Sequence, residues 1–444
     1  MLSHLIKRIP EQDRISYRFL AKWTISAITA GLFGSILVHY FSIACSSTTQ
    51  LLASLSPPVI VWPVVGAVFA GSFIYRIERR AAGEGLPSYI AALRFHSGKL
   101  PFSVTFYKLL AALSTLMTMG NGGIVGPLGR VAAGVMSSVS GLLIHDRSYV
   151  TDDDQRTASI CGLAAVIGAV FHSSIGGGIF AVEIIQKAKM GYRDLFPAIL
   201  ASSTAVFVCK SVGWESFYVF DAVDSFMELS LIGYLVLFSI IAGLFGGGYT
   251  LLYTRIAKLF RRTEGNMLFK VTVGSSIAAL IAWAVNPELL GTSTNIIQAI
   301  FSNDSAVLFG RIPVSFAYIA PVLLIMALLK ALCNCITVGS GMSAGFTGPA
   351  VITGMLLGAA MARLLGIECG SASYHAFIAV GFSAMLASSM NIPLAAAVMT
   401  TELFGLQYSF PAGFSAIIGF QVMRHQTIYD YAVNAVESES EDDD

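Results

Sequence analysis

Residues 339–349 read Gly339-Ser-Gly-Met-Ser-Ala-Gly-Phe-Thr-Gly-Pro349, and an apolar run follows directly. Glycine lets backbone approach a ligand closely, and proline is favoured in a first helical turn. The stretch predicts a helix N-terminus with free N–H groups, set in the middle of an apolar sequence. Two others share its form: Gly83-Glu-Gly-Leu-Pro87 and Gly122-Gly-Ile-Val-Gly-Pro127. The positive end of a helix dipole binds an anion without a full cationic side chain. A desolvated Lys or Arg would hold the ion too tightly to release it. Gly243–Gly248 lacks such a proline and lies in a long apolar run, so it reads as helix packing.

The surroundings of these stretches belong in lipid. Charged residues make up 12% of the chain and AVILMFWYC 55%, against roughly 25% charge in a soluble domain; mean hydropathy is +0.73. Apolar runs at 23–45, 59–75, 229–253 and 316–338 have the ~20-residue length that spans a bilayer. Others, at 175–185 and 393–404, are short or cut by Gly and Pro. Irregular backbone at membrane depth is tolerated where protein buries it or an aqueous path runs beside it. The short segments therefore point to function. A net charge of +1 gives no argument for nucleic acid.

The chain divides into a basic segment 1–22, a first membrane half 23–211, an acidic loop 212–228, a second half 229–431 and an acidic, disordered tail 432–444. The positive-inside rule places the N-terminus in the cytoplasm, of a plasma (inner) membrane. Basic loops at 187–193 and 255–262 fit this, as does an outer position for the acidic loop with Glu215, Asp221, Asp224 and Glu228. No cleavable signal peptide is visible. The two halves repeat: Gly126-Pro127 is followed by a segment ending in Glu183, and Gly348-Pro349 by one ending in Glu402, at nearly equal spacing. Matching broken segments mark a repeat-built transporter with its site at the repeat interface.

Lys108 and Lys330 lie in apolar runs. Buried, each raises the potential along an anion path; otherwise each snorkels to a headgroup. The Tyr429 hydroxyl is either a donor to an anion or part of an interfacial belt. Glu183 and Glu402 read as helix-capping or packing residues. The six cysteines read as apolar packing, no metal-spaced cluster appears, and neither enzyme motif nor cofactor site is found.

In order, the three glycine stretches resemble the G-S-G-I-P, G-[KR]-E-G-P and G-G-x-F-x-P motifs of the CLC family of chloride channels and anion/proton antiporters. Lys108, Lys330, the segments 171–183 and 391–402, and Tyr429 extend the resemblance over residues 23–431. It implies an all-α polytopic membrane protein with an inverted-repeat fold of many tilted and re-entrant helices, and a homodimer with one pore per subunit. It implies an outer anion site on the N–H groups of Ile124, Val125 and Gly126. A central site uses those of Phe346 and Thr347 with the Tyr429 hydroxyl, and an inner site uses backbone near Gly83.

Three departures shape the expected function. Val125 stands where the family's gating glutamate belongs, Ile184 where proton-coupled members place a second glutamate, and Glu84 at the serine that meets the central anion. Members that differ in anion preference also vary that serine. The expectation is a passive anion channel, with chloride foremost and Glu84 as candidate gate. The alternatives are an anion/proton antiporter using a carboxylate such as Glu84, and a pore-inactive sensor or scaffold.

Overall fold

The computed structural model describes residues 11–55, 58–143, 152–186, 192–218, 227–312 and 318–441. Much of the basic loop 187–193, Asp221 and Asp224 of the acidic loop, and the two ends of the chain lie outside them. Among the described residues the chain is helical, with a single isolated β-bridge. The first half runs α1 (Glu11–Ser54), α2 (Val61–Ile77), α3 (Leu86–Phe95), α4 (Phe102–Leu116), α5 (Val125–Leu143), α6 (Asp152–Phe171), α7 (Ser174–Gln186) and α8 (Tyr192–Val212). The second runs α9 (Ile232–Arg262), α10 (Met267–Val285), α11 (Thr294–Ser302), α12 (Ser305–Phe309), α13 (Ile319–Gly339), α14 (Thr347–Leu364), α15 (Ala372–Met390), α16 (Pro393–Phe404), α17 (Ser409–Met423) and α18 (Asp430–Glu441).

Six described helices are long and apolar enough to cross a membrane. Their outward side chains are greasy: Phe207 is 70% exposed, and Leu406, in the turn after α16, 82%. In water such a surface would aggregate; in hydrocarbon it is the solvated face. Helix α15 is the opposite case, with every residue buried. Its small residues let α14 cross in contact: a Cβ on Gly354 would lie 2.2 Å from the Gly381 carbonyl oxygen, the close approach that drives helix association where no hydrophobic effect operates. Gly243 and Gly246 of α9 likewise abut Gly419 and Ser388, as packing positions should.

Two boundaries differ from the expectations. Helix α1 does not stop at Cys45; it starts inside the basic segment at Glu11 and ends at Ser54. The sequence places Pro57-Pro58 shortly beyond that end, and proline is disfavoured inside a helix. The tail is not disordered from 432: α18 continues to Glu441. The Thr427 amide and hydroxyl both donate to Asp430, at 2.8 and 3.0 Å. Tyr429 and Val433 are buried, with Val436 packed beside them, one apolar face at helical spacing.

The halves correspond residue by residue at three places. Lys108 of α4 and Lys330 of α13 each precede a Gly-Pro helix start by nineteen residues. Neither snorkels. Lys108 Nζ donates to the carbonyls of Ala81, Ala82 and Gly83, and Lys330 Nζ to those of Leu289 (3.2 Å) and Gly291 (3.1 Å) and to Ser293 Oγ (2.6 Å). An ammonium has three protons, so each is fully used as a staple for an irregular loop. Gly123 and Gly345, in the loops entering α5 and α14, exchange N–H···O bonds of 2.9 and 2.7 Å. Glu183 at the end of α7 accepts from the Leu394 and Ala395 amides that open α16. Glu402 near the end of α16 accepts from Ile175 and Gly176, which open α7. The two carboxylates cap each other's helices, as their apolar settings suggested.

Candidate anion-conducting site

The Gly123–Gly345 pairing brings two helix starts nose to nose. Gly123 and Gly345 spend their N–H groups on each other, but the amides of Ile124, Val125, Gly126 and Thr347 have no acceptor in hydrogen-bond geometry among the described residues. All four residues are buried. Unpaired amides at two opposed N-termini make a small, positive, uncharged cavity wall, the arrangement that holds an anion through partial charges. Phe346 lies between them, with the Tyr253 ring centroid at 4.5 Å and those of Tyr249 and Tyr429 at 6.1 and 6.2 Å. Tyr429 is 1% exposed, and its hydroxyl has no hydrogen bond of good geometry, so it is not a belt tyrosine.

Glu84 enters this wall from the first-half loop. Gly85 at φ 115° turns the chain there, a conformation that a side chain would resist. The residue is 3% exposed. One carboxylate oxygen accepts from the Leu86 amide at 2.6 Å, in the first turn of α3. The other is buried without a hydrogen bond and presses on Gly126, where a Cβ would fall 2.1 Å from it. The Phe346 amide and Lys108 act on the carboxylate electrostatically, and Tyr429, Tyr249 and Tyr253 feel its charge. Glu84 thus does not point into solvent. Its carboxylate is buried against Gly126, one of the residues with a free amide.

At the expected inner site, the amide of Gly83 itself is already paired. The Gly83 amide donates to the Gly341 carbonyl at 2.8 Å, and its own carbonyl accepts from Lys108. Gly83 therefore has no donor of its own to offer an anion. Towards the opposite side, Ile124, Val125, Phe217 and Tyr218 line a cavity of about 10 Å³, room for roughly one water. Val125 is buried in that wall, and Ile184 is buried in α7.

Sequence reasoning missed Arg130. It is 2% exposed in α5, with Nε on Ser88 Oγ (3.1 Å) and Nη1 on Thr105 Oγ1 (3.0 Å). Its signal was present, since a charge in the second turn of an apolar membrane helix is functional by default. Tyr249 and Asn334 were missed too. Their hydroxyl–amide bond, continued from Asn334 Nδ2 to the Gly345 carbonyl (3.3 Å), fixes the α14 entry loop. Neither stands in a motif.

The family profile described as voltage gated chloride channel matches residues 66–424. The chain belongs to the CLC family. Its relatives include the uncharacterized protein MJ0305 of Methanocaldococcus jannaschii, 26% identical over 94% of this chain and 96% of that one. A chloride/fluoride channel protein of Pseudomonas syringae pv. tomato is 24% identical over 95% of this chain and 88% of its own length. Among solved structures, a CLC-type fluoride/proton antiporter superposes with a TM-score of 0.78 at 20% identity, covering 93% of this chain and 98% of that one. This CLC protein therefore has the expected fold, an all-α, polytopic membrane architecture, and it belongs to a family of transport proteins.

Proposed function

We propose that this CLC protein is a passive anion channel, with chloride its main ion, and that Glu84 is its valve. The observation that carries the reading is the buried Glu84 carboxylate, one oxygen of which has no hydrogen bond and lies against Gly126 at the start of α5. A carboxylate and a chloride are both monoanions, so each excludes the other from one cradle. Two charges 4 Å apart repel by about 4 kcal/mol even at an effective dielectric of 20. Conduction then requires Glu84 to be protonated or displaced. Lys108 adds positive potential beside it, and Lys330 does the same for the second-half loop. Coupled proton movement needs a relay, and Val125 and Ile184 cannot supply one. Glu183 is engaged in capping α16.

The proposal includes a homodimer in a plasma membrane, with the N-terminus cytoplasmic, repeats at 23–211 and 229–431, and one pore per subunit. The antiporter alternative has one point in its favour: a titratable carboxylate already occupies the anion's place. Sealed liposomes holding the purified protein separate the two. A chloride gradient should drive anion flux with no stoichiometric proton movement. Uphill proton pumping under that gradient would overturn the channel reading and favour antiport through Glu84.

A further inference from the structure

Away from the site, α2 and α4 leave an apolar groove of about 480 Å³ between them, closed at one end by α1. Its walls include Trp62, Val65, Phe73 and Ile77 of α2 and Tyr107 and Leu110 of α4. The hydroxyls of Ser114 and Thr118, which also line it, turn back to carbonyls of their own helix. The groove therefore presents an almost wholly apolar wall to a ligand. From Trp62 to Ile77 it runs about 22 Å at 1.5 Å per residue, longer than one leaflet of ~15 Å, half the hydrocarbon core. Its volume falls within the range of a ligand pocket, roughly 300–1,000 Å³.

One end carries charge. Arg76 follows Phe73 by three residues, so it continues the same helix face, and it is exposed. Arg79, also exposed, comes next. Glu78 does not neutralise them, because its carboxylate is held by Arg80 Nε at 3.0 Å. An apolar slot long enough for an acyl chain, ending in an exposed arginine, has the chemistry to take a phospholipid with an anionic headgroup. We infer that the groove holds an acyl chain of an anionic phospholipid, with the lipid phosphate on Arg76.

The position gives the lipid a lever on transport. Tyr107 flanks Lys108, the staple of the carbonyls at 81–83 that precede Glu84. On the facing wall a π turn at Ala70–Ile74 interrupts α2 and leads to buried Tyr75. An acyl chain filling the slot braces α2 against α4, and with them the loop that carries Glu84. The inference rests on the membrane-protein fold and not on passive conduction, and its test reads binding without ion flux.

Trp62 supplies the probe. The full chain is reconstituted in phosphatidylcholine containing a trace of either brominated phosphatidylglycerol or brominated phosphatidylcholine. Quenching that disappears in Trp62→Phe is assigned to Trp62. The glycerol lipid should quench Trp62 at lower mole fraction than the choline lipid. Arg76→Gln should raise the mole fraction required about fivefold, the weight of one arginine at an anionic surface. Arg76→Lys should keep the preference, and Val65→Phe, which narrows the slot beside Trp62, should weaken Trp62 quenching by both lipids. Equal quenching by the two lipids, or a preference that survives Arg76→Gln, would overturn the inference.

Discussion

In the proposed channel, Glu84 decides whether the cradle between α5 and α14 is filled by the protein or by its ion. Its ionised form supplies the negative charge that the free amides attract, and it does so at fixed, very high local concentration. Protonation removes that charge and with it the competition. Anion flux through the wild type is therefore expected to rise as pH falls. Glu84→Gln keeps the shape and cannot ionise, so its flux should be high and flat across the same pH range. The comparison is made by chloride efflux from liposomes at stepped pH. A Glu84→Gln protein with the acid dependence of the wild type would place the valve on another residue. The sequence identified Glu84 as unusual because a carboxylate stands at a motif serine. It could not reveal which way the side chain turns, because that depends on Gly126 and Phe346, distant in sequence and brought together only by the Gly123–Gly345 pairing. Gly83 shows the reverse failure. Its motif position implied an anion donor, but its amide is consumed by Gly341, a partner more than 250 residues away that no local pattern announces.

At the scale of helices, what could be read from sequence follows from what ends them. Helix α16 occupies the expected 393–404 because Pro393 opens it and Gly405, at φ 110°, stops it, both local signals. Helix α1 overran its expected end because hydropathy fades after Cys45 while helical geometry persists to Ser54. The last helix was hidden by its acidic composition, although Tyr429, Val433 and Val436 already formed a helical face. The reciprocal caps of α7 and α16 are an intermediate case: their carboxylates were visible, and their exchange was not. Each carboxylate satisfies two backbone donors at the start of the other's helix, with the Ser173 hydroxyl also on Glu402. Charge-assisted hydrogen bonds to such groups are worth about 1.5–3 kcal/mol each. Glu183→Ala and Glu402→Ala should each lower stability by about 1–3 kcal/mol, read as denaturant midpoints in detergent. Flux per folded molecule should stay near wild type, since neither carboxylate lies among the cradle amides. A loss of flux with unchanged stability would give these residues a transport role in place of a structural one.

At the cradle itself, the halves of the molecule meet through a pairing of two glycines. Gly123 and Gly345 pair where the α5 and α14 entry loops meet, and every free amide of the cradle follows within three residues of one of them. A side chain has no room there. A Cβ on Gly345 would lie 2.9 Å from the Gly126 nitrogen and 3.0 Å from the Gly123 carbonyl oxygen, both backbone atoms that cannot rotate away. Gly345→Ala must therefore push the two halves apart or tilt the α14 entry. Either movement spreads the amides that share one anion, and electrostatic attraction falls with every added fraction of an ångström. The expected result is weaker chloride binding by calorimetry together with a lower melting temperature, the loss being about 1–3 kcal/mol as for other overpacked sites. Gly248→Ala provides the contrast. It lies in helix α9 with nothing within 4 Å of its Cβ position, so the alanine should be neutral or stabilise by about 0.4–1 kcal/mol through the unfolded chain. If Gly345→Ala bound chloride as tightly as Gly248→Ala, the seam would be a structural join only, and the cradle would have to be sought away from the paired helix starts.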